Sequence, residues 1–459
     1  MSELNRTIHF ETLGCRLNQD ESEGAAKGFS DAGFLCGMEG VTSSAEKNED
    51  VILCIINTCT VTAKAEQKAR RIIRLLLEKF PNAPLIVTGC YAQLDGALIK
   101  QICPDRIVIL PGSSKASLLQ AARHFAGTLL FSAKELSSFF ENLSKPMQGA
   151  AFSLYTPVFE KHSRASLKIQ DGCNNACTFC RIHLARGKSV SLGVQEVLNR
   201  VQELEEKNVS EVVFTGVNLS QYSAKNKDGL DYDFADLLNI VLGGTSKIKI
   251  RISSFYPQHI TERLCEYLSS GRIQPSFHLS VQSGSDAILK KMARPYKAFD
   301  VERAVTLLRE TKDNPFIGCD MIAGFPGEQE EDFALTKELC RKLKFAWIHA
   351  FPFSPRPGTP AFSMQNQVPS AVKSERAKCL FDFAVNGKIS YIKSCGGKVF
   401  EAVCENSRSD RLHAANGTVF HAVTSNFLHV KFESKERILP GTCVKVKILE
   451  PLQEDIMRG

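Results

Sequence analysis

Absent from this sequence is any apolar run approaching the roughly 18 residues a membrane helix needs, so no membrane span is expected. Met1–Phe10 carries charges and no apolar stretch, so no secretory leader is expected either. There is no internal repeat, no low-complexity segment and only one tryptophan, Trp347, whose apolar strand context favours core packing over base stacking. Charge of one sign is also lacking: a net +7 with a pI near 8.6 permits a nucleic-acid partner without pointing to one. Cysteine, by contrast, is plentiful. Without export signals, 16 cysteines do not read as a disulfide scaffold; they read as metal ligands plus buried thiols in a reducing cytoplasm. A hydrophobic share of 43% against 23% charged residues is that of a globular protein with real cores, and 459 residues suggest about three domains.

The first third alternates strand-like runs (Thr7–Leu13, Val51–Asn57, Leu85–Thr88, Arg106–Leu110) with helical stretches (Glu21–Ala32, Ala63–Lys79, Asp95–Gln101, Lys115–Phe125). That order implies an open, mostly parallel α/β sheet over residues 1–131. Pro146, Gly149 and Pro157 mark 132–163 as a connector. A second alternating series fills 164–393, with strands expected at Ala165–Gln170, Glu211–Thr215, Ile248–Ser253, Phe277–Gln282, Phe316–Ala323 and Trp347–Phe353. Helices such as Val194–Lys207 and Asp300–Lys312 lie between them, which suits an incomplete (β/α) barrel. A helix over Ser370–Ser394 then leads to short alternating strands at Val399–Glu405, Thr418–Thr424, Phe427–Glu433 and Cys443–Leu449. Residues 394–459 thus read as a small all-β barrel.

Chemistry concentrates in two cysteine sets. Cys173, Cys177 and Cys180 sit in one loop with three and then two residues between them. Three thiolates at that spacing can hold one four-iron cluster and leave one iron open, since such a cluster usually takes four cysteines. A zinc knuckle is the alternative, but zinc motifs usually come as two pairs or with a His pair, and no such partner follows. The second set is Cys15, Cys59 and Cys90, each directly after a predicted strand. Ligands of open parallel sheets bind beyond the carboxyl ends of the strands, so three cysteines there converge on one place. The competing reading, three buried thiols, would place them inside strands, as Cys54 is.

Glycines close three strands of the central series: Gly216 in Thr215–Gly216–Val217, Gly284 after Ser283, and Gly324 before Phe325–Pro326–Gly327–Glu328. Gly lets backbone approach a ligand, and the rim of such a barrel is where substrates bind. Steric needs of strand-to-helix turns explain each one singly. Their shared rim makes Gly216, Ser283, Gly284 and Gly324 candidate cofactor contacts.

The Cys-x3-Cys-x2-Cys loop with Phe179 before its last cysteine resembles the radical S-adenosylmethionine superfamily, and Phe179 joins the candidate cofactor residues on that basis. The chain as a whole resembles the methylthiotransferases, which join a three-cysteine N-terminal domain, a radical domain and a C-terminal TRAM barrel. Thr12–Leu13–Gly14–Cys15–Arg16–Leu17–Asn18–Gln19 with Glu21–Ser22, Asn57–Thr58–Cys59–Thr60–Val61–Thr62, Thr88–Gly89–Cys90–Tyr91–Ala92–Gln93 and Arg251–Ile252–Ser253–Ser254 look like the branch acting on N6-threonylcarbamoyladenosine in tRNA. Branches acting on isopentenyladenosine or on a ribosomal protein share the modules. The resemblance implies two [4Fe–4S] clusters, S-adenosyl-L-methionine cleaved at the Cys173–Cys177–Cys180 cluster, and sulfur delivered from the Cys15–Cys59–Cys90 cluster to C2 of the adenine. It also implies a tRNA partner, a sulfur donor, an electron donor such as flavodoxin or ferredoxin, no membrane, and a cytoplasmic setting.

Arg181–Ile182–His183–Leu184, Tyr256 and Ala293–Arg294–Pro295–Tyr296 depart from the branch pattern, although Ala185–Arg186–Gly187 is kept. Arg186 suits a carboxylate or phosphate, or a surface salt bridge. His183 reads as a local substitution. Lys398, Arg408, Arg411, Lys431, Lys445 and Lys447 with Phe420, His421 and Phe427 suit an RNA-binding face, or edge strands kept from aggregating.

Overall fold

The computed structural model describes residues 7–143, 150–157, 163–225, 229–405, 413–414 and 417–449. Pro146, Gly149, Arg408 and Arg411, all used above, lie outside the described residues. The chain divides into two compact units. One comprises Met1–Thr156, Asp171–Asn175 and Cys180–Ser189; the other comprises Pro157–Gln170, Ala176–Phe179 and Val190–Gly459.

The first unit holds β1 (Thr7–Thr12), α1 (Arg16–Asp31), β2 (Leu35–Gly37), β3 (Val51–Thr58), α2 (Ala63–Lys79), β4 (Leu85–Gly89), α3 (Cys90–Lys100), β5 (Ile107–Ile109), α4 (Ser117–His124), α5 (Ala133–Asn142) and the short α6 (Ile182–Arg186). The strands form one parallel sheet in the order β2-β1-β3-β4-β5. The run Leu53–Cys54–Ile55–Ile56 explains why β3 is central. Leu53 and Ile55 pack with Phe10, Ala25 and Phe29 on one face, while Cys54 and Ile56 pack with Ala69, Ile73 and Leu76 on the other. A strand covered on both faces has to be apolar throughout. Ala69, Ile72, Ile73 and Leu76 give α2 its inward stripe, and the Thr62 side chain accepts from the Ala65 N–H to start it.

Two helix starts differ from the sequence reading. Helix α1 begins at Arg16, ahead of the expected Glu21, because its early turns bury Asn18, Asp20, Glu21, Ser22 and Glu23. A polar buried face carries no apolar period for pattern reading to find. Helix α3 begins at Cys90, and Asp95, the expected start, is a kink with φ −129° and ψ 28°. Helix α5 lies within the stretch read as a connector.

In the second unit, strands Ala165–Lys168, Glu211–Thr215 and Lys249–Ile252 form one parallel sheet, and Ser276–Gln282, Phe316–Ala323 and Trp347–Pro352 form another. Isolated parallel bridges, Ile250 to Ile273 and Phe255 to Leu279, link the two into an incomplete barrel. The helix Ser370–Cys395 packs along the last strand, Trp347–Pro352, and so covers an edge that would otherwise present unpaired backbone groups. Trp347 is buried there, beside Phe381 and under the Lys388 ammonium. Strands Val399–Cys404, His413–Ala414, Gly417–Thr424, His429–Ser434 and Cys443–Lys447 close the chain as a small antiparallel sheet. The protein is therefore α/β, with an open parallel sheet, a partial barrel and a small C-terminal β element. Among the described residues no helix is long and apolar enough to cross a membrane.

Candidate active site

Cys15, Cys59 and Cys90 leave β1, β3 and β4, which are neighbours in the sheet, at the same carboxyl end. Two glycines force this closeness. Gly14 has φ +107°, and a Cβ there would lie 2.9 Å from the Cys59 Sγ; Gly89 has φ +98°, and a Cβ there would lie 2.3 Å from the Thr58 carbonyl oxygen. Both positions therefore exclude any side chain. Cys15 caps α1, its carbonyl accepting from the Asn18 and Gln19 N–H groups, and Cys90 opens α3. Two helix N-termini with their partial positive charge thus border the thiols. Below them Asn18 donates to the Leu13 and Thr58 carbonyls at 2.8 and 3.2 Å, and Asn57 donates to the Asn18 carbonyl at 3.0 Å.

The thiols affect one another electrostatically. Burial pushes the Cys59 thiol up to about 11, with Cys15 and Cys90 adding to the rise against a backbone N–H at Val61. Cys15 keeps solvent-facing surface, yet is surrounded closely enough that desolvation raises its thiol too, with Arg186 pulling the other way. Among the described residues no three His, Cys, Asp or Glu side chains stand within reach of one metal ion. A four-iron cluster sets a different requirement, because each thiolate binds its own iron.

Arg186, on α6, lies on the same side. Its Nη1 donates to Glu21 at 3.0 Å and to both Asp171 oxygens at 2.9 and 3.0 Å, and its Nη2 donates to Asn18 Oδ1 at 2.8 Å. Lys115 pairs with the other side of Glu21. Burial alone would lower the Arg186 guanidinium, but Glu21 and Asp171 raise it well above its ordinary value. It is therefore a buried clamp on carboxylates, neither a surface pair nor a phosphate ligand. Arg181, which unlike Arg186 departs from the family pattern, is also an internal tie, contacting Glu66 and Asp95 at 3.0 Å each. Within the same unit the Cys173 N–H donates to the Gly187 carbonyl at 3.0 Å, and Cys180 Sγ accepts from the Ile182 N–H at 3.4 Å. His183 sits on α6 among these residues.

Cys177 and Phe179 belong to the second unit. Thr178, between them, accepts from the Ala361 N–H at 2.8 Å and donates from its own N–H to the Met292 carbonyl at 3.2 Å. Phe179 packs against Phe325 in a cluster with Ile288, Met292 and Phe353. Cys177 is buried, and its Sγ accepts from Arg294 Nη1 at 3.5 Å; the Tyr256 hydroxyl is 3.9 Å away and bonds to the same Nη1. The guanidinium lies over the rings of Tyr256, Phe179 and Tyr296 at 4.8, 5.3 and 5.7 Å. Two of the family departures, distant in sequence, thus meet at one cysteine.

The remaining candidates have local partners. Gly216 lies against Gln170, whose Oε1 accepts from the Asn218 N–H at 2.8 Å. Ser283 and Gly284 meet Thr336 of the helix Glu330–Leu343, the Gly284 N–H donating to its hydroxyl at 3.0 Å. The Gly324 N–H donates to Glu328 at 2.9 Å. Sequence reasoning missed a polar group lining the barrel strands. Ser254 Oγ is 2.8 Å from His278 Nδ1, and His278 Nε2 is 3.3 Å from Asp320. Burial alone would raise the Asp320 carboxyl, but His278 and His349 hold it below its ordinary value. These residues alternate along strands and carry no local motif. Phe427 is a correction: Arg251 and Arg164 stack on it at 5.3 and 5.9 Å and Phe316 packs beside it, so it docks the C-terminal sheet on the barrel and does not face RNA.

The radical SAM superfamily matches residues 167–340, and uncharacterized protein family UPF0004 matches residues 7–110. The threonylcarbamoyladenosine tRNA methylthiotransferase MtaB of Treponema pallidum is 44% identical over 451 residues, covering 87% of this chain and 91% of that protein. The Bacillus subtilis protein of the same name is 34% identical over 447 residues, covering 97% and 94%. Among solved structures, the radical S-adenosylmethionine methyltransferase TsrM of Kitasatospora setae, with tryptophan substrate and an S-adenosylmethionine analogue bound, is 14% identical. It covers 88% of this chain and 79% of its own, at a TM-score of 0.51, and shows a shared fold. With a radical SAM domain and this identity along most of its length, the chain belongs to the threonylcarbamoyladenosine tRNA methylthiotransferase family.

Proposed function

We propose that this enzyme inserts a methylthio group at C2 of N6-threonylcarbamoyladenosine beside the tRNA anticodon, giving the 2-methylthio derivative. The observation that carries this is the pairing, in one chain, of the Cys173–Cys177–Cys180 loop with three cysteines at adjacent strand ends. Cys173, Cys177 and Cys180 would hold one [4Fe–4S] cluster and Cys15, Cys59 and Cys90 a second, with S-adenosyl-L-methionine at the first. The donor sets fit: all six are soft sulfur ligands, Cys180 and Cys177 already accept N–H···S hydrogen bonds, and helix starts border Cys15 and Cys90. When bound, these groups supply the one-electron chemistry that an unactivated ring carbon–hydrogen bond requires.

The chain's own residues position and shield. Gly14 and Gly89 keep the N-terminal thiols at one place, while Arg186 fixes Glu21 and Asp171 beside them. Phe179, half-buried and packed edge-on against Phe325, orients the turn that carries Cys177. Lys431, Lys445 and Lys447 with His429 and Phe432 line a cavity of about 1070 Å³ on the C-terminal sheet, and this face would take the tRNA backbone. An external electron donor and a sulfur donor complete the reaction. Nucleoside mass spectrometry of tRNA from a deletion strain tests the proposal. The methylthio group should vanish from threonylcarbamoyladenosine and persist on isopentenyladenosine. Unchanged tRNA nucleosides would overturn the substrate.

A further inference from the structure

We propose that Arg294, held in its aromatic cage, tunes the reduction potential of the cluster on Cys177, raising it through a charged hydrogen bond to that sulfur. This rests on the assignment of Cys173, Cys177 and Cys180 as ligands. The path to Cys177 is built by the chain itself. The helix Asp286–Lys291 ends with the Arg294 N–H donating to the Leu289 carbonyl at 2.9 Å and the Ala293 N–H to the Lys290 carbonyl at 3.0 Å. Ala293 takes the left-handed conformation, φ +55°, that such an ending requires and that glycine usually supplies. The turn brings the chain back so that Arg294 Nη1 donates to Cys177 Sγ at 3.5 Å.

Three side chains then fix the guanidinium. Tyr256 accepts from it and lies under it, while Phe179 and Tyr296 flank it. Tyr296 is itself anchored through its hydroxyl to the Ser280 and Val281 carbonyls. An arginine charge planted among three rings and tied to the Tyr256 hydroxyl is held in place as the cluster changes charge. Reduction adds one negative charge next to it, so the reduced state is the one stabilised. Hydrogen bonds to cluster sulfurs are an established lever on potential.

The test is an EPR-monitored redox titration, without S-adenosylmethionine, of the full chain carrying Cys15→Ala, Cys59→Ala and Cys90→Ala so that one cluster remains. Arg294→Gln should lower the midpoint by at least a tenfold shift in the one-electron equilibrium, which is 59 mV. Tyr256→Phe, which keeps the ring and removes the hydroxyl, should move it in the same direction by less, and Arg294→Lys should recover part of the loss. A loaded Arg294→Gln cluster with the parent midpoint, or a Tyr256→Phe midpoint above it, would overturn the proposal. A background protein that holds no cluster would instead overturn the ligand assignment beneath it.

Discussion

Replacing Glu211 by Gln should loosen the second unit through one buried charge. Glu211 opens its strand with a side chain 1% exposed and takes Arg251 at 2.7 and 3.0 Å; Gln274 donates to it at 2.7 Å and Arg164 stands at 3.6 Å. Arg251, 4% exposed, also donates to the Thr424 carbonyl at 3.1 Å, so the same pair ties the C-terminal sheet to the barrel. Removing one charge of such a pair leaves the other buried without its counter-charge, at a cost of about 3–5 kcal/mol. The glutamine can still accept, which places the expectation near the low end, about 3 kcal/mol.

Burial alone would raise the Glu211 carboxyl, but Arg251 holds it below its ordinary value. Its contribution is therefore complete above the unfolded-state pKa of about 4.3 and is lost as pH falls through the lower folded value. The variant lacks that acid slope. Trp347, the only tryptophan and in the same unit, reports urea unfolding by fluorescence. A Glu211→Gln protein with the parent midpoint at neutral pH, or with the parent's acid slope, would refute this reasoning.

Other outcomes follow from the first unit. Arg186→Met should lower iron retention by the N-terminal cluster, because Arg186 offsets part of the burial that raises the Cys15 thiol and clamps Glu21 and Asp171; iron content in a Cys173→Ala, Cys177→Ala, Cys180→Ala background measures it. Gly89→Ala should cost about 2 kcal/mol or more, since it combines φ +98° with a 2.3 Å clash on the Thr58 carbonyl oxygen; a thermal melt reads the loss. With its thiol pushed up to about 11, Cys59 of the cluster-free protein should alkylate on the order of a hundredfold more slowly near pH 8 than an ordinary thiol of pKa about 8.5. The Cys59 rate should keep rising about tenfold per pH unit up to that value, where an ordinary thiol has already levelled off. Cluster loading should in turn release protons and weaken as pH falls.

Much of this was legible because it is local. Strand-then-cysteine in Thr88–Gly89–Cys90, and the apolar run through Leu53 and Ile56, announce themselves within a few residues. The early turns of α1 were not legible, since Asn18, Glu21 and Ser22 face inward to meet Arg186 and Asn57, partners distant in sequence. The same holds for His278 and Asp320, which strand pairing alone brings together, and for Phe427, whose aromatic ring suits RNA until Arg164 and Arg251 are seen to hold it. The departures at Tyr256 and Ala293–Tyr296 were visible as residues, but their meeting at Cys177 is a property of the barrel.

The central claim is hydrogen removal from C2 of the modified adenine followed by methylthio insertion there. It is tested most directly by giving the reconstituted, reduced enzyme S-adenosylmethionine and threonylcarbamoyladenosine tRNA deuterated at C2. The account predicts 5′-deoxyadenosine carrying deuterium together with 2-methylthio-N6-threonylcarbamoyladenosine in the tRNA. Unlabelled 5′-deoxyadenosine with unmodified tRNA would contradict it.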